Sequence, residues 1–368
     1  MSRRGWSVVG GLAGAVRPAL VSGVAGAAGL SLASGSASAH EEYVVDEANE
    51  VGRTEFYAEA LTDPAVAGPL AVGVLVVLFG VVGYYRWCPL RTDVAAFRLA
   101  MGDYERFVPW LLRISFGIPL IGAGFGGYFV SPAVEVELRL FQVALGSLIL
   151  FGLATRLVAL VALAAYFVGV AVDSTLLLQL EFVGGLLAIA LVGSGRPSAD
   201  HVLQRVADAP GTLYGRLDVV SGRANAFQAW IAPAERFLPT VVRVGLGVTF
   251  VYLGLTQKLL DPGLALAVID RYGLTAMTPF EPALWVIGAG LAEVTLGLAL
   301  LAGVLTRGVA FASLGVFALT MFALPDDPVL AHVGLFGMAS VVLILGAGSW
   351  SVDARLRTET ARPGPTER

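Results

Sequence analysis

The sequence is poor in cysteine, lysine and charge. It has one cysteine, Cys88, and one lysine, Lys258, and only 14% of its 368 residues are charged. A single cysteine excludes an intrachain disulfide and a CxxC redox pair. The sequence also lacks a glycine-rich phosphate loop, a nucleophile elbow and a His/Cys/Asp cluster at metal-ligand spacing, which excludes the soluble-enzyme classes built on those motifs. The net charge of −4 is small and gives no indication of a nucleic-acid partner.

Hydrophobic residues, by contrast, make up 57% of the chain, and the mean hydropathy is +0.78. Several runs of roughly 18 to 22 apolar residues are each long enough to cross a hydrocarbon core of ~30 Å. Helices are the expected spanning element, because every backbone polar group must be satisfied inside the bilayer. The sequence therefore predicts an all-α, polytopic protein of the cell membrane, with the lipid bilayer as its surroundings.

Residues 1–39 have the pattern of a secretory signal peptide. Two arginines near the start precede a long Gly/Ala/Val stretch, and an Ala-Ser-Ala sequence that ends at residue 39 provides a small-residue cleavage site. The alternative is an uncleaved first transmembrane helix. After cleavage, residues 40–64 would form a short extracytoplasmic arm, and residues 65–85 would form the first transmembrane helix.

The rest of the chain repeats itself in two four-helix units, residues 108–200 and 238–353. Three motifs recur in both units, each at its own distance, namely Arg113 with Arg243 (243 − 113 = 130), Arg156 with Arg307 (307 − 156 = 151) and Asp200 with Asp353 (353 − 200 = 153). An even number of spans returns the chain to its starting side, so the two units form a parallel internal repeat. The predicted helices are 108–129, 137–154, 156–173, 176–194, 238–257, 283–304, 307–324 and 329–347.

The step in distance from 130 to 151 indicates a 21-residue insertion in the second unit, in the loop that contains Asp261, Asp270, Arg271 and Tyr272. A linker at residues 201–237, which joins the units, has the Arg/Asp/Leu/Val mixture of helices that lie on a membrane surface. The tail at 354–368 is polar and rich in proline near its end, which predicts disorder.

The distribution of arginine predicts the topology. Arginines concentrate in alternate loops, and acids in the loops between them, when nine spans are counted from an extracytoplasmic amino terminus. This count places the mature amino terminus outside and the carboxyl terminus in the cytoplasm.

Glu293 is the strongest candidate for chemistry. It lies near the middle of its predicted span, where a charged side chain costs about 2.5–3.5 kcal/mol on the insertion scale, so it is a candidate proton acceptor. Tyr252 is predicted at a similar depth as its hydrogen-bond partner. Lys258 and His332 should lie in the outer half above Glu293 and are candidate binding residues. The alternative for this set is a structural hydrogen-bond network that orients the helices.

Two further charged residues are less specific. Arg243 is a candidate binding residue, but it starts about one turn inside the inner edge and could simply anchor its helix by reaching back to the interface. Glu181 is expected to be solvated at the outer interface. In the first unit, the counterparts of Lys258, His332 and Glu293 are Tyr128, Gln179 and Gln142. We therefore expect the second unit to carry any active site and the first to be mainly a packing partner.

The chain resembles the DoxX/DoxD-like family of membrane proteins. The resemblance is carried by the opening Leu-Arg-x-x-x-Gly, by Gly254-Leu-Thr-Gln-Lys258-Leu, by the helix with Glu293 and Thr306-Arg307, and by a closing Gly-x-Gly-x-x-Ser-x-Asp in both units. It covers residues 108–353 in two copies. The first copy departs from the pattern at Gln142 and Tyr128.

The resemblance implies four-helix membrane units and, for some members, a membrane subunit of a thiosulfate:quinone oxidoreductase or an association with redox enzymes. The leading hypothesis is thus a membrane component of a quinone-linked redox system, or an anchor for a redox-enzyme partner, with quinone as the possible cofactor. The alternatives are a small-molecule or lipid transporter, suggested by the parallel repeat and a midplane acid, and a purely structural subunit.

Overall fold

The computed structural model describes residues 49–87, 91–135, 137–213, 221–278 and 280–360. The predicted signal peptide, the first residues of the predicted arm, Cys88 and the last eight residues of the predicted tail lie outside this described part of the chain.

The described residues are mainly helical. In chain order the helices are α1 (Arg53–Thr62), α2 (Pro64–Trp87), α3 (Arg91–Gly102), α4 (Val108–Gly126), α5 (Arg139–Phe151), α6 (Thr155–Val172), α7 (Glu181–Val192), α8 (Ala199–Asp208), α9 (Ser221–Ile231), α10 (Leu238–Leu253), α11 (Pro262–Tyr272), α12 (Leu274–Met277), α13 (Pro282–Ala302), α14 (Thr306–Ala323), α15 (Val329–Leu345) and α16 (Val352–Thr360). Short 3₁₀ helices cover Glu105–Phe107, Ser174–Gln179 and Ala232–Phe237, and a π-helical segment, Gly254–Leu259, continues α10. A two-stranded antiparallel hairpin, β1 (Tyr128–Phe129) and β2 (Ser131–Glu135), follows α4.

Six helical segments are long and apolar enough to cross a bilayer, namely Pro64–Trp87, Glu105–Gly126, Thr155–Val172, Ala226–Leu259, Pro282–Ala302 and Thr306–Ala323. Three further apolar helices, α5, α7 and α15, have 10–17 residues. The predicted all-α, polytopic membrane architecture is confirmed. The count of nine spans and the orientation of the termini stay predictions.

Glycine ends the second helix of each predicted unit. Gly152 (φ 74°) directly follows the last residue of α5, and Gly303 (φ 69°) directly follows the last residue of α13. This left-handed conformation terminates a helix, and glycine adopts it without the strain that a Cβ atom causes. The chain then turns sharply and begins the next helix at Thr155 or Thr306.

The two predicted units are interlocked. Helix α4 packs most extensively on α5 and on α15, which belongs to the second unit, while α10 packs on α13 and on α7, which belongs to the first. One continuous core contains buried side chains of both units, among them Phe116 and Leu246. Gly184 and Gly245 lie so close that a Cβ atom on either would stand 2.8 or 2.7 Å from the other's Cα. The units therefore share one core and are not two separate bundles.

A second, smaller apolar cluster joins α1, the start of α2, α11, α12 and the start of α13. We call α1, α11 and α12 the cap. The predicted 21-residue insertion is thus helical, and it packs on the predicted arm. Residues at its centre include Phe56, Ile269 and Ile287. In the cap, the arm and the insertion each bury apolar side chains of the other.

Several predicted boundaries are wrong for identifiable reasons. The first helix of the first unit was expected to reach residue 129, but Gly127 (φ 84°) ends α4 and the hairpin follows. The predicted disordered tail is helical as far as Thr360, as part of α16. The second helix of each unit is also shorter than predicted.

Candidate functional site

Lys258 and Glu293 form an ion pair inside the second unit. Lys258 Nζ lies 3.1 Å from Glu293 Oε1, and the two side chains are 20% and 17% exposed. Glu293 is eleven residues from the start of α13 and nine from its end, or about 16 and 14 Å at 1.5 Å per residue. The second carboxylate oxygen, Oε2, is buried and has no hydrogen-bond partner among the described residues. Lys258 thus balances the charge of Glu293, while one carboxylate oxygen remains without a hydrogen bond among the described residues.

Lys258 belongs to the π-helical segment Gly254–Leu259. Single π turns inside α-helices are rare and occur frequently at functional sites. Gly254 permits the close approach of this segment to α13, because a Cβ atom there would stand 2.9 Å from Glu293 Cβ and 3.0 Å from the carbonyl oxygen of Gly290. Lys258 therefore reaches Glu293 from a π-helical segment that Gly254 allows to pack closely on α13.

The cap contacts the same segment. The Tyr57 hydroxyl on α1 donates a hydrogen bond of 2.7 Å to the Leu259 carbonyl oxygen, the last residue of the π-helical segment. Burial raises the pKa of Tyr57, and nearby Arg53 partly opposes this. The amino-terminal arm thus fixes the end of the segment that carries Lys258.

Tyr252 does not have the role predicted from its depth. Within the described residues no hydrogen bond joins its hydroxyl to Glu293, whose one partnered oxygen faces Lys258. Tyr252 instead lies within electrostatic range of Tyr166 on α6. The residues of α10 and the π-helical segment that contact α13 include Arg243, Gly247 and Gly254, and Tyr252 lies about 100° or more around the helix from that line.

His332 is separated from the Lys258–Glu293 pair. Its Nε2 lies 3.4 Å from Asp327 Oδ2, and both side chains are almost completely buried. Its Nδ1 lies 3.4 Å from the Pro328 carbonyl oxygen. The predicted three-residue set therefore consists of two separate pairs, Lys258 with Glu293 and His332 with Asp327.

Arg243 is buried and caps helix α13. It is 1% exposed, which is incompatible with the interfacial anchoring expected for it. Its guanidinium donates hydrogen bonds to the carbonyl oxygens of Leu300 and Leu301, at the end of α13, and of Trp350, in the closing loop. These are among the carbonyl groups that a helix end leaves unsatisfied. Its contacts with protein carbonyls are structural, so a ligand-binding role for Arg243 is not supported by its surroundings.

Arg113 has the equivalent contacts in the first unit. Its guanidinium donates to the carbonyl oxygens of Leu150, at the end of α5, and of Ser194 and Pro197, in the closing loop of that unit. The two arginines that align in the sequence repeat therefore make the same capping contact in both halves of the structure.

The aspartates of the closing motifs complete these contacts. Asp353 accepts hydrogen bonds from the backbone N–H groups of Leu305 and Thr306, and Asp200 does so from Ala154 and Thr155. In the second unit Tyr85 on α2 also donates to Asp353, over 2.6 Å. We call this end of the molecule, which contains the closing loops with Asp200 and Asp353, the lock end. Tyr85 was not predicted, since nothing in its local sequence indicates a partner 268 residues away.

The first-unit counterparts of the ion pair also meet, but without charge. Gln142 Nε2 donates a hydrogen bond of 3.1 Å to the Tyr128 carbonyl oxygen.

Glu181 in the first unit is fully buried. The expectation that it is solvated at the interface is wrong, because α15 of the second unit and the residues before α7 cover it.

No group of three or more His, Cys, Asp or Glu side chains in the described ranges is arranged to hold a metal ion.

The model of the DoxX family matches residues 238–326, which include α10, the π-helical segment, α13 and α14. No curated protein and no solved structure shows a significant match to the chain. The family resemblance is thus confirmed for residues 238–326, the first three helices of the second unit, and the two-copy interpretation stays a prediction.

Proposed function

Because this membrane protein carries a DoxX domain in its second unit, we propose that it is the membrane component of a quinone-linked redox system, with Lys258 and Glu293 as the residues that face the quinone. The observation that supports this proposal is the ion pair near the middle of α13, in which Glu293 Oε2 has no hydrogen-bond partner among the described residues. Ionisable groups at that depth are rare and are usually functional.

Lys258 and Glu293 have complementary chemistry for this task. The ammonium can donate a hydrogen bond to a carbonyl oxygen, and the unpartnered Glu293 Oε2 can hold a proton for the same oxygen. Reduction of a quinone consumes two electrons and two protons. The partial exposure of both side chains at mid-span depth allows access from the hydrocarbon, where only a lipid-soluble molecule is available.

In this proposal the electrons come from an associated redox enzyme, with thiosulfate as the substrate class that the DoxX/DoxD resemblance suggests. Helix α2 offers a surface for such a partner, since almost none of its apolar surface is buried in this chain. The chain would then serve both as the anchor of the enzyme and as the proton-handling quinone site.

We also infer that the cap end is extracytoplasmic and that the lock end, with the arginines of its loops, is cytoplasmic. The equivalent capping contacts of Arg113 and Arg243 support an internal repeat. A fluorescent protein fused after Arg368 tests the orientation. We expect fluorescence, which requires folding in the cytoplasm, and a non-fluorescent fusion that is present at normal amount would reverse the topology.

The redox proposal is tested in membranes that contain the chain and its partner. We expect thiosulfate-dependent quinone reduction to fall at least tenfold in Glu293→Gln. The matched control is Asp326→Asn, which removes an exposed acid that pairs with Arg271 near the cap; it should leave the rate unchanged. Equal rates in Glu293→Gln and the wild type would refute the assignment.

The interlocked units argue against the transporter alternative. Alternating access in parallel repeats requires one unit to rock against the other, whereas here the first helix of each unit packs on the fourth helix of the other unit. Proton-dependent uptake into vesicles that is abolished by Glu293→Gln would nevertheless establish transport. Co-purification of a redox enzyme whose quinone reduction is insensitive to Glu293→Gln would establish a purely structural anchor.

A further inference from the structure

A fully buried acid lies in the first unit, away from the proposed quinone site. Glu181 is the first residue of α7, and Gln179 ends the 3₁₀ helix before it. Both side chains are at least 98% buried. Both carboxyl oxygens of Glu181 and both amide atoms of Gln179 have no hydrogen-bond partner among the described residues. Four polar atoms are thus buried without a hydrogen-bond partner in the part of the chain that the structure describes.

These residues line a small cavity between the two units. Its volume is about 10 Å³, close to the space that one water molecule requires. The walls are mostly apolar and come from both units and from the hairpin, among them Tyr128, Val130, Pro132 and Pro328. An ionised carboxylate without a partner is strongly disfavoured in such surroundings.

We propose that Glu181 is a proton-holding site, in which the protonated carboxyl group and one bound water molecule, linked to Gln179, occupy this cavity. A protonated carboxyl group donates one hydrogen bond and accepts others, and the Gln179 amide does both. A water molecule between them has the two to four polar partners that a buried water requires. A metal cation would need more oxygen ligands than these two side chains supply.

The other titratable groups around Glu181 do not supply a counter-charge at neutral pH. Tyr128 lines the cavity, and Tyr166 on α6, which donates a hydrogen bond to the Leu176 carbonyl oxygen, lies within electrostatic range. Tyr252 on α10 is within electrostatic range of Tyr166, and phenol groups are neutral below pH ~10. His332 and Asp327, at the start of α15, are paired with each other.

The position of the cavity indicates the side with which the proton exchanges. Val130 and Pro132 belong to the hairpin and its turn, and Pro328 belongs to the loop before α15. This loop is joined to the cap by the contact between Asp326 and Arg271. Glu181 is therefore close to the surface at the cap end, and its proton exchanges with the solution on that side. This function does not depend on a quinone at Glu293.

Infrared spectroscopy of the full chain in lipid tests the proposal. At neutral pH we expect a C=O stretching band of a protonated carboxylic acid that shifts slowly in D2O. The band should be absent in Glu181→Gln and retained in Glu293→Gln. If the folded wild type lacks the band, if Glu181→Gln keeps it, or if added Na⁺ removes it, Glu181 does not hold a proton in this cavity.

Two further measurements test the proposal even if Glu181→Gln does not fold, because they use Gln179→Leu and the wild type. Gln179→Leu removes the partner of the bound water, so the frequency of the same band should change, and an unchanged frequency would contradict the water link. The stability of the wild type should also fall as the pH rises, because the folded state keeps a proton that the unfolded state releases. Glu181→Gln, if folded, should lack this dependence, and a dependence of equal size in the variant would contradict the proposal.

Discussion

Separating Lys258 from Glu293 should destabilise the protein far more than separating an exposed ion pair. Lys258→Met leaves the Glu293 carboxylate without its cation in an apolar environment. Removing one partner of a fully buried pair costs about 3–5 kcal/mol. Since the two side chains remain 20% and 17% exposed, we expect a smaller loss than this range, about 2–3 kcal/mol in the free energy of unfolding.

The double variant Lys258→Met/Glu293→Gln separates the pair energy from other losses. It removes both charges together, so it should be more stable than the sum of the single variants predicts. For residues in direct contact we expect a coupling energy of about 1–3 kcal/mol. Unfolding in mixed micelles, followed by tryptophan fluorescence, provides the four free energies of the cycle.

The exposed pair Arg271–Asp326 is the matched control. Its nitrogen and oxygen lie 3.4 Å apart, but the side chains are 43% and 60% exposed. Pairs of this kind contribute about 0.2–1 kcal/mol. A coupling energy for Lys258 and Glu293 that is no larger than the control value would show that the pair is effectively solvated, and it would refute the argument from burial.

Three further predictions concern the frame around the site. Arg243→Gln should destabilise the protein by about 3–5 kcal/mol in the same unfolding assay, because it leaves the carbonyl groups at the end of α13 unsatisfied. A loss below about 1 kcal/mol would mean that water replaces the guanidinium. Gly297→Ala should cost about 1–3 kcal/mol by overpacking, since its Cβ atom would stand 2.7 Å from a backbone oxygen of α10, whereas Gly308→Ala, which meets nothing within 4 Å, should be neutral or stabilising. Equal melting temperatures for the two alanine variants would contradict this. Tyr57→Phe should cost about 1 kcal/mol through its lost hydrogen bond. Because burial raises the pKa of Tyr57, this contribution should be present below pH ~10 and lost as the pH rises through the folded-state pKa. A stability difference between variant and wild type that persists at higher pH would be inconsistent with it.

The helical organisation could be predicted from the sequence to within a few residues at most ends. Runs of apolar residues separated by glycine and polar residues give a strong local signal, and Gly152 and Gly303 end their helices as such residues generally do. The hairpin after α4 and the π turn after α10 were missed. Both are short local departures from regular helices, in segments whose composition remains compatible with a helix.

The site could be predicted only in part. Glu293 and Lys258 stood out as rare charges in apolar helices, and the structure brings them together. Tyr252 was placed by depth alone, whereas the spacing of Arg243, Gly247, Gly254 and Lys258 already indicates which face of the helix turns to α13. A comparison of helical faces would have removed Tyr252 from the set.

The burial of Glu181 and the contacts of the cap depend on residues far apart in the chain. Glu181 is covered by the fourth helix of the other unit, and α1 packs on an insertion about 200 residues later. A local pattern cannot distinguish an interfacial acid from a buried one when the covering element comes from elsewhere. Interlocking of the two units was equally invisible, because each unit has a complete four-helix pattern of its own.

The most direct test of the central claim is the binding of a short-chain quinone to the purified chain in lipid nanodiscs. Quenching of tryptophan fluorescence would report the binding curve in the wild type and in Lys258→Met/Glu293→Gln. The proposed site predicts saturable binding that weakens at least tenfold in the double variant and is unchanged when both charges of the exposed Arg271–Asp326 pair are removed. Equal dissociation constants for the wild type and Lys258→Met/Glu293→Gln, or no saturable binding at all, would contradict it.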